Sequence, residues 1–220
     1  MNSNSVATNQ TGLYASLEKV VRRHLISPAN GPIHEPTRLV FEELIPQITH
    51  KKWILDSGCG VGLSSVCLAE KYPEHLVVGV DQSLVRLSKT EQFAQDGKLP
   101  QNLIFIRAEL NDLWRLLAQN KLIPEYHFVL YPNPWPKSKH FQRRFQGCAA
   151  FAYLLEISPY LELRSNWLLY LEEFDSALTL AGRKGQITTL SACELENPLT
   201  LFEQKFFASG QELYRLVCSF

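Results

Sequence analysis

The short apolar run Trp53-Ile54-Leu55 leads straight into Asp56-Ser57-Gly58-Cys59-Gly60-Val61-Gly62, after which a helical pattern begins. Glycines at this spacing let the backbone turn sharply and approach a ligand with no Cβ in the way. The pattern is D-x-G-x-G-x-G and departs from the G-x-G-x-x-G of dinucleotide sites, because Leu63 stands where the third glycine would be. An acid at the end of a strand suits a ligand with a cationic amino group better than one with a pyrophosphate. S-adenosyl-L-methionine carries such an ammonium and a sulfonium besides. Asp81 closes a second apolar run and is placed to accept both hydroxyls of a ribose, a role also found in NAD sites. Glu109 follows a third run, where a polar side chain can read an adenine amino group. Asp56, Gly58, Gly60, Gly62, Asp81 and Glu109 are therefore the expected cofactor ligands. A glycine turn with strand-end caps, and an NAD site, are the competing readings.

The second cluster is Tyr131-Pro132-Asn133-Pro134-Trp135-Pro136-Lys137, continued by Ser138-Lys139-His140-Phe141-Gln142-Arg143-Arg144. Three prolines in five residues predict a rigid, non-helical loop. Trp135 can brace that loop or stack on a base. The cations after it can hold phosphate, with arginine suited to bidentate contact. The alternative is a solvated basic turn that precedes a helix. Near the C-terminus, Thr200 and Glu203 read by themselves as a helix cap and its capping-box acid.

These residues need a scaffold that brings strand ends together. Strands are predicted at Trp53–Leu55 ending on Asp56, Leu76–Val80, Leu103–Ile106, Tyr126–Tyr131 and Asn166–Leu171. Helices are predicted at Leu13–Leu25, Arg38–Ile48 (with Leu39, Phe41, Leu44 and Ile45 on one side), Leu63–Lys71, from Ser83, Asn111–Ala118 and Phe145–Ile157. Ser27 to Thr37 holds three prolines and a glycine and reads as loop. Strand–helix alternation predicts an α/β fold, with a mainly parallel sheet covered by helices on both faces. The final strand-like segment is expected to add an antiparallel C-terminal edge. A chain of 220 residues suits one such domain, expected over 13–220 with a helical extension at 13–50. The Asn-, Ser- and Thr-rich residues 1–12 are expected to be a disordered tail.

Lys and Arg total 22, as do Asp and Glu, so the net charge is zero. That weighs against wholesale nucleic-acid binding, which draws on phosphate contacts. The charge is segregated, however, since residues 137–144 hold four Lys or Arg, one His and no acid. No run reaches the roughly 18 to 20 apolar residues of a membrane span, and no signal peptide is visible. Five scattered cysteines and six scattered histidines show no metal-ligand spacing, so no metal is expected. Buried thiols of this kind fit a reducing cytoplasm.

Together the motifs resemble the bacterial tRNA (guanine-N7)-methyltransferase family, from about Asp56 to the end of the chain. That family has an acid-x-G-x-G-x-G motif, strand-end acids like Asp81 and Glu109, and a P-D-P-W-P-K loop followed by His and paired arginines. It also has a T-x-F-E-x-[KR] segment, matched by Thr200 to Lys205. The resemblance implies a Rossmann-like class I methyltransferase that uses S-adenosyl-L-methionine and acts on tRNA in the cytoplasm, as a monomer or homodimer. It implies Asn133, His140 and Arg143 at the reacting centre, with Asn133 also touching the cofactor. Lys137, Thr200 and Glu203 are implied as substrate contacts. Two departures stand out. Asn133 occupies the loop's Asp position, and the family's Thr-Asp pair after the fifth strand is matched to Glu172-Glu173, which makes Glu173 a further expected substrate contact. A diverged methyltransferase for another RNA or a small molecule, and a non-catalytic RNA-binding homologue, are the other readings.

Overall fold

The computed structural model describes residues 3–92, 97 and 99–219. Its centre is one seven-stranded sheet. The strands are β1 (Trp53–Ser57), β2 (Leu76–Asp81), β3 (Leu103–Arg107), β4 (Tyr126–Leu130), β5 (Tyr160–Ser165), β6 (Gln186–Thr189) and β7 (Tyr214–Ser219), in the order β3-β2-β1-β4-β5-β7-β6. The first five run parallel, and β7 pairs antiparallel with both β5 and β6. All five residues of β1 are buried, as a strand covered on both faces requires. Its alternation sends Leu55 into the larger core with Val78, Val80 and Val129, and Ile54 into the second with Val77, Leu103 and Phe128.

Strand order reverses between β1 and β4. At such a point the flanking connections leave on opposite faces and open a crevice beyond the carboxyl ends of the strands. The glycine turn follows β1, Asp81 ends β2, Glu109 follows β3 and the proline loop follows β4. The topology thus gathers segments spread over some eighty residues of sequence onto one edge.

The helices are α1 (Leu17–Ile26), α2 (Glu35–Ile48), α3 (Leu63–Lys71), α4 (Leu84–Leu87), α5 (Leu110–Gln119), α6 (Phe151–Glu156), α7 (Leu168–Leu180), α8 (Ala192–Leu195) and α9 (Leu201–Ala208). In α2 the buried stripe is Thr37, Phe41, Leu44 and Ile48, while Leu39 faces solvent. The expected helix Phe145–Ile157 is helical only from Phe151, and 3-10 turns at Ser138–Arg143 and Phe145–Gly147 precede it. The chain is pressed tight there, because a Cβ on Gly147 would stand 2.3 Å from the carbonyl oxygen of Phe141. The fifth strand is also displaced from its expected place. It lies at Tyr160–Ser165, and the expected strand Asn166–Leu171 instead begins α7. Tyr170, Leu171, Phe174, Ala177 and Leu178 bury one helical face over three turns, and that periodicity only emerges beyond Leu171.

Residues 3–12 have no regular structure but lie against the proline loop. The Thr8 hydroxyl donates to the Pro136 carbonyl at 2.7 Å. Gln10 reaches the buried pair formed by Arg144 and Glu173, both fully inaccessible. Arg144 Nη2 donates to Gln10 Oε1 at 2.9 Å and to the Trp135 carbonyl at 3.0 Å. Glu173 Oε1 accepts from Gln10 Nε2 at 2.6 Å and from the Tyr14 amide at 2.9 Å. Glu173 is therefore a buried clamp, and the expected substrate contact is not possible from that position. Breaking a buried pair leaves one charge uncompensated. Glu173→Gln is expected to cost about 3 to 5 kcal/mol of stability, read from denaturant midpoints. A variant within experimental error of the parent would remove the pair from this structural role.

Candidate active site

A cavity of about 650 Å³ opens at the carboxyl edge of the sheet, within the range of small-molecule sites. Gly58 and Gly60 form part of its wall, with φ of 81° and 60°. The Gly58 and Cys59 amides are tied to the Val80 carbonyl at 2.8 and 2.9 Å, which presses the turn onto β2. Gly62 serves a different purpose and does not border the cavity. It caps α3 at φ 89°, where a Cβ would meet Phe105 at 2.7 Å.

Asp81 is almost fully buried and accepts from the Gly60 amide at 3.0 Å and the Ser83 amide at 2.7 Å. Arg86 adds an ion pair at 2.8 Å from a half-exposed side chain, and both residues border the cavity. Glu109 also borders it, with its carboxylate held by the Asp112 amide and the Asn111 side chain, each at 3.0 Å. It is the N-cap of α5 as well as a cavity residue.

Asp56 sits beneath this surface. One carboxylate oxygen accepts from the Ser64 and Ser65 hydroxyls, both at 2.6 Å, and the other has no partner. Burial raises its pKa to about 6, against the pull of the two serines, with Asp81 adding a smaller upward push. Burial, then Asp56 and Asp81, also push the Cys59 thiol far above its ordinary range, so it stays protonated.

The proline loop supplies the opposite wall. Tyr131 and Trp135 hold φ of 52° and 44°, a left-handed conformation that is costly for bulky residues and that surrounding contacts must enforce. Asn133 lies between them, with its side-chain oxygen accepting from the Trp135 amide at 3.2 Å. Arg143 lies over the Trp135 ring at 4.7 Å, and His140 meets the same ring edge-on at 5.6 Å. Of the two adjacent arginines, Arg143 reaches the cavity and Arg144 is the buried clamp. Desolvation, followed by Arg143, Lys139, Lys137 and Arg144, lowers the His140 pKa below its ordinary value. Lys137 is exposed and does not border the cavity; its carbonyl accepts from the His140 amide at 2.8 Å.

The C-terminal segment departs from expectation. Thr200 caps α9 by accepting from the Glu203 amide at 2.9 Å. Glu203 is fully buried, bonded to the Tyr131 hydroxyl at 2.9 Å, to Arg164 at 2.8 Å and to the Leu199 amide at 2.6 Å. Neither borders the cavity, so the expected substrate contacts are a cap and a buried anchor for Tyr131. Phe202 and Phe206 of α9 border it instead.

The relocated β5 moves another assignment. β5 ends on Ser165, so the residue just past its carboxyl end is Asn166, which borders the cavity, while Glu172 and Glu173 lie inside α7. Sequence reasoning missed Asn166 because it misplaced the strand. It missed Arg86 and Phe206 because nothing in their local pattern marks them, and it passed over Phe202, the aromatic position of the T-x-F-E-x-[KR] segment, because roles went only to Thr200 and Glu203.

The comparisons with known proteins agree with this geometry. Residues 50–216 match the Methyltransf_4 family model, described as "Putative methyltransferase". The chain belongs to that methyltransferase family. It is 25% identical to the tRNA (guanine-N(7)-)-methyltransferase of Latilactobacillus sakei, over 87% of this chain and 88% of that one. It is 26% identical to the enzyme of the same name from Mycoplasma genitalium, over 78% and 85%. Among solved structures, an antibiotic-related methyltransferase superposes with a TM-score of 0.60 at 15% identity, covering 87% of this chain and 96% of that one. The 16S rRNA (adenine(1408)-N(1))-methyltransferase of Catenulisporales acidiphilia gives 0.58 at 14%, covering 87% and 93%. The fold is that of the Rossmann-like class I methyltransferases. Among the described residues no cluster is suited to a metal, and no helix is long and apolar enough to cross a membrane.

The raised Asp56 pKa has a consequence for stability. Folding makes this carboxyl hold its proton more tightly than its ordinary value of 3.8. The contribution of Asp56 to stability is therefore greatest below that value and is lost as pH rises from about 4 to about 6, by up to about 3 kcal/mol. Urea midpoints measured from pH 4 to 7 for the parent and for Asp56→Asn should differ in slope by this loss. Parallel curves for the two proteins would contradict it.

Proposed function

We propose that this chain transfers a methyl group from S-adenosyl-L-methionine to N7 of a guanine in tRNA, in the cytoplasm, as a monomer or homodimer. The observation that carries the reading is the meeting of two motifs on one cavity. The glycine turn, Asp81 and Glu109 form one side, and the rigid basic loop through Asn133, Trp135 and Arg143 forms the other. Relatives named for this reaction align over most of the chain.

The residues fit the cofactor. At Gly58 and Gly60 an added Cβ would meet nothing within 4 Å, so the open surface there is backbone at which a ligand can lie close. Asp81 is the acceptor for ribose hydroxyls, and Arg86 shares that carboxylate. Glu109, steadied by the Asn111 amide, offers a carboxylate acceptor at the β3 end. S-adenosyl-L-methionine supplies a methyl carbon made electrophilic by its sulfonium. Guanine N7 has a free lone pair, so no side chain must remove a proton before attack. The task of the protein is alignment of the nucleophile at near-attack distance, together with exclusion of water. Asn133, fixed between two prolines, positions the base edge by hydrogen bonding. Arg143, steadied on Trp135, holds a backbone phosphate beside it.

A second reading, methylation of another RNA or a small molecule, draws on Asn133 and Asn166. Asn133 stands where the resemblance places an Asp, and Asn166 borders the same cavity, so the substrate side offers amides where carboxylates would stabilise positive charge developing on the base. Incubation with labelled cofactor and, in separate reactions, unmodified bulk tRNA, ribosomal RNA or a small-molecule extract, followed by mapping of the methylated position, separates the two. Label at guanine N7 is the expected result. Label confined to ribosomal RNA or to small molecules favours the second reading and overturns the first.

Arg143→Ala is expected to weaken tRNA binding and to flatten its salt dependence by about one counterion unit, with S-adenosylhomocysteine affinity retained. An unchanged salt slope in filter binding would exclude a phosphate contact.

A further inference from the structure

The eight-residue helix α9 carries its polar anchor and its aromatic residues on different faces. Glu203 points inward and is fully buried. Phe202 is 56% exposed, and Phe206 follows it one turn later. Their rings stack at 5.9 Å with an interplanar angle of 24°. Phe206 then meets the ring of Tyr131 at 5.8 Å. An aromatic ladder thus descends from solvent at Phe202 to the strained first residue of the proline loop, and all three rings border the same cavity. Tyr131 is held from below by Glu203. The ladder and the loop are therefore braced by one buried carboxylate.

A Phe left half in water at a cavity rim has an unused π-face. A peptide, a lipid or a nucleobase could cover it. Charge decides among these, because the loop that starts at Tyr131 continues into exposed Lys137 and Lys139 and into Arg143. Aromatic faces beside several cations match a polyanion that carries flat rings, which is the composition of single-stranded nucleic-acid sites.

We infer that Phe202, backed by Phe206, is the stacking platform for a nucleobase of the RNA substrate at the mouth of the cavity. This rests on the RNA reading proposed above. It assigns to Phe202 the recognition that Thr200 and Glu203, spent on capping and bracing, do not provide. Stacking needs a planar ring, so a branched apolar side chain does not replace it.

The test compares Phe202→Leu, which keeps an apolar side chain without the ring, with Phe202→Tyr, which keeps the ring. Binding of unmodified tRNA, methyl transfer to it, S-adenosylhomocysteine affinity and melting temperature are measured for each. Phe202→Leu should bind tRNA roughly tenfold more weakly, within the range for losing one base–aromatic stack. Its S-adenosylhomocysteine affinity and melting temperature should not change. Phe202→Tyr should retain tRNA affinity. Phe202→Leu binding as well as the parent, or Phe202→Tyr failing as badly as Phe202→Leu, would overturn the inference. Parent protein that binds tRNA through Phe202 without methylating it would support the platform while refuting the proposed reaction. Parent protein with no affinity for tRNA would overturn both.

Discussion

The buried pair of Arg144 and Glu173 is the contact on which the catalytic side of the molecule depends. Neither side chain reaches water, and no hydrophobic packing would hold two opposite charges in place at that depth. The cost of desolvating them is offset because both are saturated. Arg144 donates to Glu173, to the Trp135 carbonyl and to Gln10, and lies over the Trp167 ring at 4.9 Å. Glu173 takes further donors from Tyr14, Gln10 and Gln146. The pair thereby joins α7, the N-terminal segment and the proline loop. The positive φ at Trp135 is sustained in part by this contact, since Arg144 grips the carbonyl of that same residue. With Trp135 set, its ring can receive Arg143 on one face and His140 at its edge.

A second braced residue holds the other end of the loop. Tyr131 is also left-handed, and Glu203 takes its hydroxyl while also pairing with Arg164 of β5. Asn133 therefore lies between two strained aromatic residues, Tyr131 fixed by the buried Glu203 carboxylate and Trp135 by the buried Arg144 guanidinium. Two prolines restrict the backbone between them. Such preorganisation suits a reaction that asks for alignment more than for proton transfer.

The parallel half of the sheet was legible in the sequence because short, continuous apolar runs followed by Asp56, Asp81 and Glu109 suit strands covered on both faces. The helix Leu63–Lys71 emerged at its observed limits because a glycine turn starts it. Three features were hidden. The Asn166–Leu171 run has the apolar density of a strand, and only the helical spacing of Phe174, Ala177 and Leu178 beyond it shows otherwise. Glu173 and Glu203 look like site acids because pattern matching cannot see burial. Both are acids whose charge is consumed by an arginine, and only packing reveals which arginine. Phe202 was passed over inside the T-x-F-E-x-[KR] segment because Thr200 and Glu203 carry its hydrogen-bonding groups, while a Phe in a short helix ordinarily belongs to the core.

Placing β5 correctly sharpens the chemical question. With the strand ending at Ser165, the substrate side of the cavity carries two asparagines, at 133 and 166, and no carboxylate beside them. A lone Asn133 could be balanced by a neighbouring acid, but Glu173, the acid expected in that place, is committed to Arg144. The cavity keeps its carboxylates, Asp81 and Glu109, on the side away from the loop. Positive charge that develops on the acceptor is therefore met by amide dipoles and by the aromatic faces of Trp135, Phe202 and Phe206. Electron-rich ring faces attract cations, so stacking can supply some of the stabilisation that the missing carboxylates do not. On the RNA reading proposed above, the aromatic wall would do two jobs at once, holding the base and softening the charge that methylation leaves on it.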